Sequence, residues 1–150
     1  MGQSLVKIYL HIIFSTKHRN AVIDESIENE LHSYLGGVCK NLECPPIKIG
    51  GFTDHVHLLC LQSKKITVIK LLEDLKSNSS KWIKTKADRY NDFYWQTGYG
   101  AFSVSPSEVE AVKAYIENQH QHHKSITFQE EYRRILTDLH IDFDERYVWD

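Results

Sequence analysis

The chain has 150 residues, 41% of them hydrophobic, 25% charged and 11% aromatic, with a net charge of −2. That length fits one domain with a real core, and the composition excludes disorder, which needs low hydrophobicity and high net charge. No apolar run approaches the ~20 residues that span a bilayer. The start of the chain also lacks the basic, apolar and small-residue segments of a secretory signal. Cys39, Cys44 and Cys60 form neither a CxxC pair nor an even set, so they read as reduced thiols. A soluble cytoplasmic protein without a membrane partner is the expectation.

Residues 5–15 alternate with period two (Val6, Ile8, Leu10, Ile12 and Phe14 against Lys7, Tyr9, His11 and Ile13), which predicts a strand with one well-buried face. From Asp24 to about Leu42 the spacing changes to three and four through Ile27, Leu31, Leu35 and Val38, an amphipathic helix weakened by Gly36-Gly37. Pro45-Pro46 leads into a short strand, Ile47 to Phe52, and Thr53-Asp54 reads as a turn. The next strand, His55 to Leu61, is apolar on both faces after its first residues and belongs in the middle of a sheet.

A second helix is expected from about Thr67 to Thr85, then an aromatic-rich connection over 87–97 and a fourth strand, Gly98 to Ser103. Ser105-Pro106-Ser107-Glu108 carries a helix-start signal, and that helix should run to about His122. Thr127-Phe128-Gln129-Glu130 opens a fourth helix with Phe128, Tyr132, Ile135 and Leu139 on one face. The order β-α-β-β-α-β-α-α predicts an α+β fold. Its form is a ferredoxin-like (RRM-like) two-layer sandwich: an antiparallel four-stranded sheet with helices on one face, and a C-terminal helix bearing Tyr115. We expect one domain over 1–150, with a core at about 5–123 and a helical tail at about 124–150.

Charge is uneven along the chain. Residues 63–89 hold eight basic and three acidic residues, whereas 106–150 hold five basic and ten acidic. A charged helix is commonly just a solvated face, but this asymmetry permits a polyanion to dock on one side. The phosphate-contact candidates are Lys17, His18 and Arg19 with Lys70, Lys81 and Lys84. Tyr9, Tyr90, Phe93, Tyr94, Trp95 and Tyr99 include candidates for stacking on unpaired bases.

Two constellations carry chemistry. In His55-Val56-His57, residues i and i+2 of one strand share a face, so both imidazoles project side by side as a potential pair of metal ligands. Such a triplet taken alone is also common as a structural pair. Tyr115 and Gln119 are four apart on the third helix, on the shoulder of the stripe Val109, Val112 and Ile116. A tyrosine there ordinarily packs with its hydroxyl wet. Together the pieces suggest a metal held by two imidazoles and an amide oxygen, beside a phenol poised at a phosphodiester. His120, His122 and His123 read as a polar helix end, and His11 as a sheet-face or DNA-contacting residue.

Asp54-His55-Val56-His57 and Tyr115-Ile116-Glu117-Asn118-Gln119 resemble the HUH single-tyrosine transposases of the insertion-sequence 200/605 group. So do His11–Arg19, Lys76–Ile83, Trp95–Phe102 and Asp144–Trp149, which extend the resemblance over essentially the whole chain. Thr53 departs from a frequent proline, which bears on the turn alone. The resemblance implies His55, His57 and Gln119 as ligands of a divalent metal, Mg²⁺ or Mn²⁺, and Tyr115 as nucleophile. It implies single-stranded DNA with subterminal hairpins as substrate, cleaved and rejoined through a 5′-phosphotyrosine. It also implies a homodimer whose active sites are shared in trans, associated with the nucleoid when bound to DNA. The alternative is a domesticated relative of the same fold that holds hairpins without cutting them. An RNA-binding module lacks its aromatic signature here, and a replication initiator or relaxase fits poorly with a short chain and a single late tyrosine.

Overall fold

The computed structural model of the chain describes residues 2–150. Strands β1 (Tyr9–Ser15), β2 (Pro46–Phe52), β3 (His55–Leu61) and β4 (Gly100–Val104) form one antiparallel sheet in the order β2-β3-β1-β4. β1 and β3 are central, as the continuous apolar run of β3 requires. β1 is shorter than its alternation predicts, because Tyr9 pairs with Leu61, the last residue of β3. Beyond that point the partner runs out, and Leu5, Val6 and Ile8 lie exposed.

Period two sorts the central strands onto two faces. Leu10, Ile12 and Phe14 of β1 join Val56, Leu58 and Cys60 of β3 in the main core. Against them pack α1 (Glu25–Asn41) and α2 (Val68–Lys84), which present Ile27, Leu31 and Leu35, and Leu71, Leu72 and Leu75. α2 starts where the sequence places it: the Thr67 hydroxyl accepts the Lys70 N–H at 3.1 Å. α1 continues through both glycines. The three cysteines are free and buried, and no helix among the described residues is long and apolar enough to cross a membrane.

The expected α+β sandwich of sheet, α1 and α2 is therefore present. The other face, expected to be open, is covered by α3 (Val109–Glu117), α4 (Gln119–His122) and α5 (Phe128–Asp138). The physical reason is the apolar stripe of α5. Phe128, Tyr132 and Leu136 need a partner, and Ile13 of β1 supplies it in a second core edged by Phe102 and Trp149. Leu139, assigned to that stripe by spacing, is 45% exposed. The third helix also differs from its signal. Pro106–Glu108 is a 3₁₀ turn without a side-chain cap, and the helical run breaks at Asn118.

One glycine sets how closely this layer approaches the sheet. Gly50 of β2 pairs with His57, and a Cβ there would stand 2.5 Å from the carbonyl oxygen of Ile116 in α3. The bare backbone lets the helix bearing Tyr115 rest on the strand beside the histidine pair. Gly50→Ala is expected to destabilise the fold by about 1–3 kcal/mol, the usual cost of overpacking a filled contact. Denaturant unfolding with an unchanged midpoint would show that α3 yields freely.

Candidate active site

The two histidines project together, as their spacing requires, and both are fully buried. Each ring is fixed from behind. The Nδ1 of His55 donates to Asp54 Oδ1 at 2.7 Å. The Nδ1 of His57 meets His11 Nε2 at 2.8 Å: it accepts from His11 while Nε2 donates to Glu131, and in the other tautomer it donates to His11 and leaves Nε2 free to ligate. Both Nε2 atoms thereby point into a common pocket. His11 sits on the sheet face, one of the two places expected for it, where it is buried and orients His57.

Tyr115 and Gln119 reach that pocket from α3 and α4 despite the break between them. Gln119 Oε1 accepts from His55 Nε2 at 2.9 Å. The Tyr115 ring lies 5.7 Å, centroid to centroid, from His57. One chain brings all four residues together by itself, where the resemblance implies a tyrosine supplied by a second subunit.

A carboxylate that sequence reasoning missed sits at the centre. Glu131, in the first turn of α5, is 1% exposed. Its Oε1 lies 3.1 Å from His57 Nε2 and 3.4 Å from His55 Nε2. Its Oε2 accepts from the Tyr115 hydroxyl in a short contact, and from Gln119 Nε2 at 2.9 Å. The sequence places His123 in a polar helix end. It instead turns inward, placing Nε2 at 3.0 Å from Gln119 Oε1 and 3.2 Å from Glu131 Oε1. His122 Nε2 is 3.4 Å from Glu131 Oε2 but not aligned for a hydrogen bond. A signal for both residues lay in the spacing: Glu131 is three after Phe128 on a buried stripe, and His123 is four after Gln119.

Burial and pairing set the charges. Burial alone would lower the His55 pKa, yet hydrogen bonds to Asp54 and Glu131 reverse this and raise it to about 9. His57 is lowered to about 4, because burial outweighs the pull of Glu131. His11 is lowered to about 3 by burial and then by the charge of His57. Burial would raise Glu131, but hydrogen bonds from His123, His55 and His57 hold it well below the usual carboxylate range. Burial, followed by the Glu131 charge, pushes the Tyr115 phenol well above its usual range. A groove of about 400 Å³ between β4, α3 and α5 leads from the surface to His11 and Tyr115, walled by Phe102, Val112, Ile135 and Leu139.

These donors suit a divalent cation. His55, His57 and Glu131 each offer an atom, all within 4.8 Å of one another. The Asp54–His55 and His11–His57 pairs are the outer hydrogen bonds that orient ligating imidazoles.

The expected phosphate contacts separate into two groups. Lys84 and Lys17 stand over the exposed Tyr94 ring at 4.2 and 5.8 Å, and Lys81 and His18 are exposed. Arg19 turns inward instead, donating to Ser15 Oγ and the Trp149 carbonyl, and Lys70 pairs with Asp74 at 2.9 Å. Tyr90, Phe93 and Trp95 are core residues, which leaves Tyr94 and Tyr99 as the exposed aromatics of this stretch.

The family model described as "Transposase IS200 like" matches residues 4–119. A crystal structure of a candidate transposase from Deinococcus radiodurans R1 shares the fold, with a TM-score of 0.62 and 22% identity over 79% of this chain and 96% of that one. The structure of a REP-associated tyrosine transposase bound to a REP hairpin also has a TM-score of 0.62. It is 10% identical, covering 84% of this chain and 74% of that one. A comparison with curated proteins finds no match.

Asp54→Asn keeps the shape of the side chain but weakens the hold on His55 Nδ1. It is expected to weaken Mn²⁺ binding by about 10–100-fold, the usual effect of losing such a partner. Calorimetric titration of folded protein reads this directly, and unchanged affinity would remove Asp54 from the site.

Proposed function

This chain belongs to the IS200-like transposase family, and from that premise we propose that it cleaves and rejoins single-stranded DNA at hairpin-bearing element ends, using Tyr115 as nucleophile. The observation that carries the reading is the Tyr115 hydroxyl hydrogen-bonded to Glu131, which also touches both histidines. A nucleophile, a proton acceptor and a cation-binding pair thus share one buried pocket with a groove to the surface.

In the proposed reaction the Tyr115 oxygen attacks a backbone phosphorus. Its proton passes to Glu131 Oε2, the acceptor already in contact. The bond from phosphorus to the 3′ oxygen breaks, leaving a 5′-phosphotyrosine and a free 3′-hydroxyl that takes up a proton. Burial and the Glu131 charge disfavour the phenolate, and the charge of a bound cation would act in the opposite direction. Attack by another strand's 3′-hydroxyl reverses the step. One phosphodiester is exchanged for another, so no ATP is consumed.

His55 and His57 would hold Mg²⁺ or Mn²⁺ together with an oxygen ligand, which in the set implied by the resemblance is Gln119, and the ion's charge would stabilise the developing negative charge on the phosphate oxygens. Lys17, Lys81 and Lys84 with Tyr94 offer charge and stacking surface to the unpaired strand. The hairpin in the related tyrosine transposase complex supports a hairpin as the DNA partner here. A pair of chains is part of the reading, as the resemblance implies, while the contact of Tyr115 with its own chain's Glu131 favours a tyrosine that acts in cis.

Tyr115→Phe removes one hydroxyl and leaves the ring to pack. It is expected to bind labelled hairpin DNA within about twofold of wild type and to form no covalent adduct in Mn²⁺, read on a denaturing gel. An adduct from this variant would reassign the nucleophile. A non-cleaving hairpin binder would give no adduct with the wild-type protein either. Mixing Tyr115→Phe with His55→Ala chains tests the arrangement. A tyrosine used in cis predicts no recovered cleavage, because no chain holds both parts, whereas recovery would place the tyrosine in trans.

A further inference from the structure

We propose that Glu131 is the anionic ligand of the divalent cation at the His55/His57 pair, with Oε1 facing the cation, and that Gln119 positions this carboxylate. The proposal rests on the metal-dependent reading above and changes its ligand set: the family-like motif points to Gln119, and Glu131 lies outside both motifs and beyond the matched residues 4–119.

Three observations carry it. The first is spacing. Two ligands about 2.1 Å from one ion, at angles of about 90–110°, stand about 3.0–3.4 Å apart. Glu131 Oε1 lies 3.1 Å from His57 Nε2 and 3.4 Å from His55 Nε2, which is ligand-to-ligand spacing to both imidazoles at once. Gln119 Oε1 is hydrogen-bonded to His55 and to His123, and its own N–H group donates to Glu131 Oε2.

The second observation is charge. His55, His57, Gln119 and Glu131 are all buried, so a dication held by two imidazoles and an amide would bring two uncompensated charges into a dry pocket. Burying unpaired charge is costly. Asp54 faces the rear of His55, so Glu131 is the carboxylate on the ligand side. The third is donor chemistry: Mg²⁺ and Mn²⁺ favour charged oxygen over amide oxygen and imidazole nitrogen.

The two carboxylate oxygens then have separate tasks. Oε1 belongs to the cation, whereas Oε2 holds the Tyr115 hydroxyl. One side chain fixes the nucleophile relative to the ion, which no pair of strand histidines does by itself. His123, 3.2 Å from Oε1, and His122, 3.4 Å from Oε2, flank the carboxylate from α4 and the residue after it.

The test is Mn²⁺ titration followed by calorimetry and by loss of the free-ion electron-spin signal, without DNA. Wild-type protein is expected to bind one ion. Glu131→Gln is expected to bind at least 100-fold more weakly, Gln119→Ala less than tenfold more weakly, and Glu131→Asp between wild type and Glu131→Gln. The sign separates this role from a structural one. A carboxylate that merely pairs with the histidines competes with the ion, so its removal would leave affinity unchanged or raise it. Either result, or a loss in Gln119→Ala matching that in Glu131→Gln, overturns the proposal and leaves the metal-dependent reading standing. If Glu131→Gln does not fold, the Glu131→Asp affinity decides, and a wild-type value there counts against the proposal. Failure of wild-type protein to bind Mn²⁺ at all would overturn the metal-dependent reading itself.

Discussion

β3 is hydrogen-bonded on both edges, to β2 and to β1, and that confinement dictates much of the molecule. A strand held on two sides offers its side chains only two directions. Val56, Leu58 and Cys60 take one and build the main core with α1 and α2. His55, His57 and Leu59 are left with the other. The same backbone register that packs the core thus aims two imidazoles at one point. Slipping it by a residue would bury the histidines among leucines and turn the core residues out.

Two buried imidazoles need partners, and the structure supplies one on each side of each ring. Asp54 and His11 hold the Nδ1 atoms, while Gln119 and Glu131 face the Nε2 atoms. α5 has a double part in this. Phe128, Tyr132 and Leu136 close the second core, and Glu131 on the same buried side enters the pocket. The helix stays in place through apolar contacts, so the carboxylate does not have to fund its own burial. Packing α5 on the sheet therefore also carries Glu131 into the site.

Much of this was legible from local patterns. Strand alternation and helix periodicity place β1, β3, α1 and α2, and β3 has the predicted bounds, because those elements bury faces that their own spacing declares. The i, i+2 histidines and the i, i+4 pair of Tyr115 and Gln119 converge as their periods require. What spacing does not declare is which elements meet. That the face bearing the histidines is covered depends on α5 crossing Ile13, a contact between residues more than a hundred positions apart. For the same reason Glu131 read as one acid among ten in an acidic tail. Arg19 is a parallel case: a basic residue in a polar loop looks like a phosphate contact until the Trp149 carbonyl is found against it.

α3 has nine residues, and Ile116 is its one fully buried side chain. Helices much shorter than about 12–15 residues are not self-sustaining in water, so this one depends on its seat over Gly50 and on the bond from Tyr115 to Glu131. Its 17-residue counterparts α1 and α2 each bury five side chains. Local opening is therefore expected to cost less at α3 than at α1 or α2, with its amides exchanging ahead of those in the central strands. The tyrosine is thus mounted on a helix more easily lifted from the sheet than α1 or α2. A side chain that must carry a DNA strand and later release it gains room from that weakness, while the histidines on β3 stay fixed.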